Sequence, residues 1–224
     1  MNESLQENFR LILERVKAAS GGREVKILGA SKTMAPEKLE QAFRAGLRVF
    51  GENRIQEAIP KIQTLASLEV EWHFIGHLQT NKVKEAVRYF SWIQSVDSVR
   101  LMMAIEKEAH KISKKVNLLF EVDLAGEETK HGMQPDQLAE ALDASRELSW
   151  ASVRGLMIIP PFFDDPEQAR PFFQRLREIR DHLAGQFPDL KELSMGMSHD
   201  YEVAVQEGAT IIRIGTALFG SRTK

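Results

Sequence analysis

The sequence predicts a closed (β/α)8 barrel, a TIM barrel of the α/β class, on three observations. Eight short apolar, β-rich runs recur along the 224 residues. Most neighbouring runs are separated by a segment with helical period and helix punctuation, which implies parallel strands joined by crossover helices. Eight such units suit a closed barrel of this chain length, although a doubly wound open sheet would use the same elements.

The first element is an amphipathic helix over residues 3–18, because Leu5, Phe9, Ile12, Leu13 and Val16 fall on one stripe. It precedes the strand runs Val25–Ser31, Leu47–Phe50, Trp72–Ile75, Trp92–Val96, Asn117–Val122, Val153–Ile159, Leu193–Met195 and Ile211–Ile214. Pro36 opens the helix after the first run, since its fixed φ and missing donor are tolerated at a helix start. Leu39, Ala42 and Phe43 give that helix its buried face. Asp97 or Ser98 can cap a helix carrying Leu101, Met102, Ile105, Ala109 and Ile112. Asp164-Asp165-Pro166 starts another, with Phe172, Phe173, Leu176, Ile179 and Leu183 as its stripe. Strand spacing varies too much for a repeat, and no linker or low-complexity stretch interrupts the chain. One domain over residues 1–224 is expected.

Bulk properties narrow the function classes. Hydrophobic content of 43% and charged content of 28% are those of a globular protein, and a net charge of −2 carries no polyelectrolyte signature for nucleic acid. The chain has no cysteine, which excludes disulfides, thiolate metal sites and cysteine nucleophiles. No window approaches the roughly 20 apolar residues that span a bilayer. The N-terminus carries acids early and has no unbroken apolar core, so it does not read as a signal peptide. A cytoplasmic protein without membrane or nucleic-acid partners is expected.

Chemistry concentrates where the predicted strands end. Strand one stops on Lys32, and a cation at the tip of a buried parallel strand needs a reason. A partly desolvated lysine there can lose its proton and form a Schiff base with an aldehyde; equally, its stem can carry it past the strand end to solvent. Further ends supply Gly51-Glu52-Asn53-Arg54, Gly76-His77, Gly196-Met197-Ser198-His199 and Arg213-Ile214-Gly215-Thr216. Gly215-Thr216 precedes the short apolar segment Ala217–Gly220, whose free N–H groups would suit a phosphate, with Ser198 and Thr216 adding hydroxyls. Alternation turns Arg213 into the barrel mouth. An arginine among isoleucines must have an acceptor there: a phosphate, a pyridine nitrogen, or a carboxylate such as Glu52 or Asp123.

Other patterns carry less. Gly215 to Gly220 followed by Ser221-Arg222 lacks the Lys-Ser/Thr of a nucleotide-binding loop. His73 and His77 sit in a strand and turn rather than a helix, so no zinc site is expected from that spacing. Ser198-His199-Asp200 is contiguous, whereas a triad is assembled from separate elements. Met195 and Met197 read as packing. Lys130, in a polar loop after strand five, is a second candidate amine, and a solvated surface lysine is the favoured reading.

Six segments together resemble one family: Ala30–Thr33, Phe50–Asn53, Trp72–Lys82, Gly155–Met157, Leu193–Asp200 and Arg213–Gly220. They are similar, in order and over nearly the whole chain, to the pyridoxal phosphate homeostasis proteins (the YggS/PROSC family). The resemblance implies a fold-type III barrel like the N-terminal domain of alanine racemase, with pyridoxal 5′-phosphate (PLP) on Lys32. It implies Arg213 facing the pyridine nitrogen, Ser198, Gly215 and Thr216 holding the phosphate, and Asn53 near the ring. It also implies a protein that influences B6 vitamer and amino-acid pools without an established reaction. Leu28-Gly29 and His77 depart from the pattern without touching these anchors.

Three functions then compete: a PLP carrier or regulator, a PLP-dependent amino-acid racemase, and a barrel binding another phosphorylated ligand without covalent attachment. A two-base racemase needs a second acid or base, taken in alanine racemases from an added β domain. The chain stops at Lys224, shortly after strand eight, so that domain is expected to be absent and a monomer is expected. Tyr201 is the nearby phenol, and its place at a helix start reads as structural. The carrier is the expected function, with PLP-dependent apoenzymes as candidate recipients; whether Lys130 holds a second PLP stays open.

Overall fold

The structure, a computed structural model, describes residues 5–126 and 131–220. Its eight strands form one closed parallel barrel in chain order, with β8 pairing back onto β1. They are β1 (Lys26–Ala30), β2 (Val49–Glu52), β3 (Glu71–Phe74), β4 (Trp92–Val96), β5 (Val116–Glu121), β6 (Ala151–Met157), β7 (Glu192–Met197) and β8 (Ile211–Ile214). The expected barrel is therefore the observed one, and the open sheet is not. β4 and β8 keep their predicted bounds, while β2 and β6 shift by up to two residues.

The leading helix α1 runs Leu5–Ser20 and buries Phe9, Ile12 and Val16. The crossovers are α2 (Pro36–Arg44), α3 (Ile55–Thr64), α4 (Val83–Tyr89), α5 (Val99–Lys111), α6 (Leu138–Ala144), α7 (Arg170–Ala184) and α8 (Tyr201–Gln206), and α9 (Thr216–Phe219) follows β8. Pro36 stands in the first turn of α2 as its chemistry allows. Ser98 caps α5 by accepting from the Leu101 N–H, satisfying a donor the helix cannot. Asp165 does the same for the 3-10 turn that leads into α7, accepting from the Glu167 N–H.

Burial divides into two layers. Phe50, Phe74, Phe90, Phe120 and Phe173 are fully buried between barrel and helices. Inside the barrel, Leu28, Val49, Ile75, Trp92, Leu119, Met157 and Ile211 form a smaller apolar cluster. That interior also takes polar side chains: His73, Gln94, Ser194 and Arg213 are all buried. One close approach sets a residue type, because a Cβ on Gly155 would lie 2.0 Å from the Glu192 carbonyl oxygen of neighbouring β7.

Candidate functional site

At the C-terminal mouth a cavity of about 250 Å³ is walled by Lys32, Ser198, Arg213, Gly215 and Thr216, together with Ala30, Met34, Phe162, Met197 and Phe219. Five of the six predicted binding residues thus share one cavity. The sixth, Asn53, stands beside it. It lines a recess with Lys32, Thr33, Arg54 and Glu57, and its far side borders a second recess with Gly76 and Glu121. Gly76 permits this, since a Cβ there would sit 2.3 Å from the Asn53 carbonyl oxygen.

Of the two placements the sequence left open, Lys32 takes the solvated one: it is exposed rather than partly desolvated. The β1 ladder ends when the Ser31 N–H donates to Gly51 O at 2.9 Å. The chain then turns at Lys32-Thr33, with Thr33 in the left-handed region (φ 66°), and Met34 N closes the turn on Ser31 O at 3.0 Å. The turn lifts Lys32 off the barrel rim. Its base is rigid, because Lys61 of α3 donates to Ser31 O at 2.9 Å and to Glu52 Oε1 at 2.7 Å. Ser31 Oγ donates to that same carboxylate oxygen at 2.6 Å.

Arg213 is 5% exposed. Its Nη1 donates to Ser194 O at 2.8 Å and Ser194 Oγ at 2.7 Å, and its Nη2 donates to Ile158 O at 2.8 Å. The carboxylate partner considered from sequence is therefore replaced by carbonyls and a hydroxyl. Glu52 is committed to Lys61, and Asp123 accepts from Ala125 N, Gly126 N and Gln134 Nε2. Burial pushes the guanidinium down to about 10, against the pull of Glu121 and Asp200, so it stays a cation at neutral pH. Burial likewise drives the Glu121 carboxyl up to about 7.

The phosphate-type cup is built by two loops. Ser198 Oγ accepts from Gly215 N at 3.0 Å and Ala217 N at 3.3 Å, tying the β7 loop to the start of α9. Both bonds use the oxygen, which leaves the hydroxyl proton free to donate to an anion. Thr216, exposed at the rim, adds a second hydroxyl.

The remaining sequence candidates separate. His73 is buried inside the barrel, whereas His77 stands at the mouth, so they share no site. His199 Nε2 contacts Asp164 O and Asp200 accepts from Met197 N, which makes no triad. Tyr201 is 4% exposed at the start of α8 and hydrogen-bonds with Arg15 of α1, the structural place expected of it. Lys130 lies outside the described residues.

Sequence reasoning missed Phe162. It is 76% exposed yet walls the cavity, with its ring 5.5 Å from that of His199. No period or motif marks it, because it lies in the irregular segment after β6.

An amine, a buried guanidinium, hydroxyls and apolar walls in one cavity form a donor set suited to an aldehyde-bearing, phosphorylated pyridine. The family described as "Alanine racemase, N-terminal domain" matches residues 2–223. The pyridoxal phosphate homeostasis protein of Aquifex aeolicus (strain VF5) is 47% identical over 222 residues, covering 96% of this chain and 97% of that protein. The protein of the same name from Escherichia coli (strain K12) is 35% identical over 233 residues, covering 99% and 98%. Among solved structures, PipY of Synechococcus elongatus PCC7942 with PLP bound superposes with a TM-score of 0.88 at 36% identity, over 97% of this chain and all of that one. Alanine racemase from Clostridium difficile 630, at 16% identity and a TM-score of 0.76, shares the fold over 97% of this chain and 58% of its own.

Proposed function

The chain belongs to the pyridoxal phosphate homeostasis proteins, and from that premise we propose that it binds PLP at the barrel mouth and carries it without turnover. The observation that carries this reading is the single cavity walled by Lys32, Ser198, Arg213, Gly215 and Thr216. When bound, PLP supplies an aldehyde that an amine can hold covalently. Lys32, whose amine lines the cavity, is the residue that would hold the group through that aldehyde. Ser198, Thr216 and Gly215 would hold the phosphate, and Asn53, in the adjoining recess, would stand near the ring. Arg213, held by Ser194 and Ile158, would be the partner of the ring nitrogen. A guanidinium keeps its proton, so Arg213 would not protonate that nitrogen and the bound pyridine would be a poor electron sink, which supports carriage over catalysis. The proposal extends to one domain, a monomeric cytoplasmic protein, PLP-dependent apoenzymes as recipients, and B6 vitamer and amino-acid pools as its output.

The test is reconstitution with PLP, removal of excess, and borohydride reduction followed by peptide mass mapping. One fixed adduct on Lys32, lost in Lys32→Ala, is expected. An adduct that survives Lys32→Ala, or none in the parent, overturns the covalent assignment. Racemisation of single L-amino acids on prolonged incubation, followed by chiral chromatography, overturns the carrier reading in favour of an enzyme.

A further inference from the structure

Across the mouth from the cavity, three strand ends bring together a donor set that the PLP reading leaves unused. His77 follows β3, Asp97 follows β4, and His131 lies in the loop after β5. One ligand atom from each of the three lies within 4.8 Å of the other two. The imidazoles face each other with centroids 3.6 Å apart and planes 14° off parallel. Asp97 Oδ1 accepts from Ser98 Oγ at 3.0 Å, while its Oδ2 lies 3.6 Å from His77 Nδ1.

We propose that His77, Asp97 and His131 form a binding site for a divalent transition-metal ion of the zinc class. Two imidazole nitrogens and one carboxylate oxygen are the three-ligand set of an open zinc site, in which water or a small ligand takes the fourth position. A recess of about 210 Å³, walled by His77 and His131 with Asn53, Glu121 and Asp123, gives that fourth ligand room. The backbone that bears the ligands is held. Met133, two residues past His131, is bonded to Glu121 O at 2.8 Å and to Asp123 N at 3.0 Å. Asp97 adjoins the Ser98 cap of α5.

Bonds of about 2.0–2.2 Å set tetrahedral donors roughly 3.3–3.6 Å apart, so donor atoms that lie within 4.8 Å of one another must close by at most about 1.5 Å. Both histidines are exposed, and a side-chain rotation that slides one ring off the other aims a nitrogen from each at one ion. Such an ion would turn two stacked, weakly interacting rings into a clamp joining three loops of the mouth. Sequence spacing alone could not show this, because His131 is far from His77 along the chain.

The proposal does not rest on PLP binding. Its test uses protein free of any histidine tag, titrated with Co²⁺ and followed by visible d–d absorption, and with Zn²⁺ by calorimetry. One saturable equivalent is expected, weakened at least ~10-fold by His77→Ala, by His131→Gln and by Asp97→Asn. Lys32→Ala should bind the metal unchanged, which separates this site from the PLP assignment. Circular dichroism melts of each variant in the absence of metal show whether the fold is intact. Absence of saturable binding at millimolar metal, or unchanged affinity in folded His77→Ala and His131→Gln, overturns the proposal.

Discussion

Arg213 Nη1 donates to Ser194 Oγ at 2.7 Å, and that hydroxyl begins a hydrogen-bond chain through the barrel interior. Ser194 Oγ donates to Gln94 Oε1 at 2.6 Å, and Gln94 Nε2 donates to His73 Nδ1 at 2.7 Å. His73 Nε2 donates to Glu71 Oε1 at 2.7 Å, which also accepts from Lys26 Nζ at 2.8 Å. A guanidinium at one end can only donate and a carboxylate at the other can only accept, so every proton in between points one way. That order assigns His73 as the neutral Nε2–H tautomer, in keeping with the burial that lowers its pKa. The His73 bond, reinforced by Lys26, holds the Glu71 carboxyl at about 2.

Ser194→Ala breaks this chain at its least replaceable link. Gln94 Oε1 is left buried without its donor, and Arg213 keeps only the carbonyls. Leaving one buried polar group unsatisfied costs about 1–3 kcal/mol. Urea unfolding should therefore show a loss of that size with an unchanged m-value. A loss below about 0.5 kcal/mol, the scatter of ordinary surface changes, would mean that the chain contributes nothing to stability.

Glu121 gives a pH dependence of defined sign. Burial raises its carboxyl to about 7 from 4.5, with Arg213 opposing and Asp97 and Asp123 adding to the rise. Between those values the folded protein keeps a proton that the unfolded chain has released. Its stabilising contribution is thus complete below about pH 4.5 and lost as pH climbs through 7. At ~1.4 kcal/mol per pH unit the full swing is at most about 3.5 kcal/mol. Glu121→Gln removes the penalty. The variant should exceed the parent in stability at pH 8, and the gap should close toward pH 5 in paired urea titrations. Parallel curves across that range would contradict the assignment.

Gly76→Ala tests whether backbone crowding shapes the site. The new Cβ would meet Asn53 backbone at 2.3 Å (O), 2.7 Å (Cα) and 2.8 Å (C), and none of these can rotate away. Overpacking of this kind costs about 1–3 kcal/mol or more. A lower melting temperature is expected, together with weaker retention of PLP, because Asn53 would be pushed relative to Lys32. A variant matching the parent in both would show that the segment yields at no cost.

These tests bear on what the chain reveals before it folds. Strand ends were legible as a site because a parallel barrel sends every C-terminal end to one mouth, which is how Lys32, Arg213 and Gly215 could be grouped. The bounds of β2 were not, since Glu52 enters the strand only because Lys61, on the following helix, neutralises it. Arg213's acceptors were invisible because two of the three are carbonyl oxygens, which every residue owns. Lys32's exposure depends on a left-handed Thr33 that no propensity announces. His73, Gln94 and Ser194 did leave a trace, as polar residues inside strand runs. Reading it required knowing that they meet across the barrel.

Lys61 and Glu52 form the buried pair behind the site, with side chains 8% and 0% exposed. Among the described residues Glu52 Oε2 has no hydrogen-bond partner, so the pair depends on Oε1, which takes both Lys61 and Ser31. Lys61→Met leaves that carboxylate buried without its cation, a change that costs about 3–5 kcal/mol. Glu52→Gln combined with Lys61→Met removes both charges at once and should recover most of the loss, because well-packed neutral replacements of buried pairs are often close to neutral. The single variant also frees the Ser31 carbonyl that anchors the Lys32 turn, so PLP retention should fall about tenfold, or ~1.4 kcal/mol, at temperatures where it remains folded. The double variant does not restore that bond, and its PLP retention should stay low although its stability returns. Denaturant melts and absorbance titrations on the two variants separate these roles: recovery of both properties together would mean that Lys61 acts on the site only through stability.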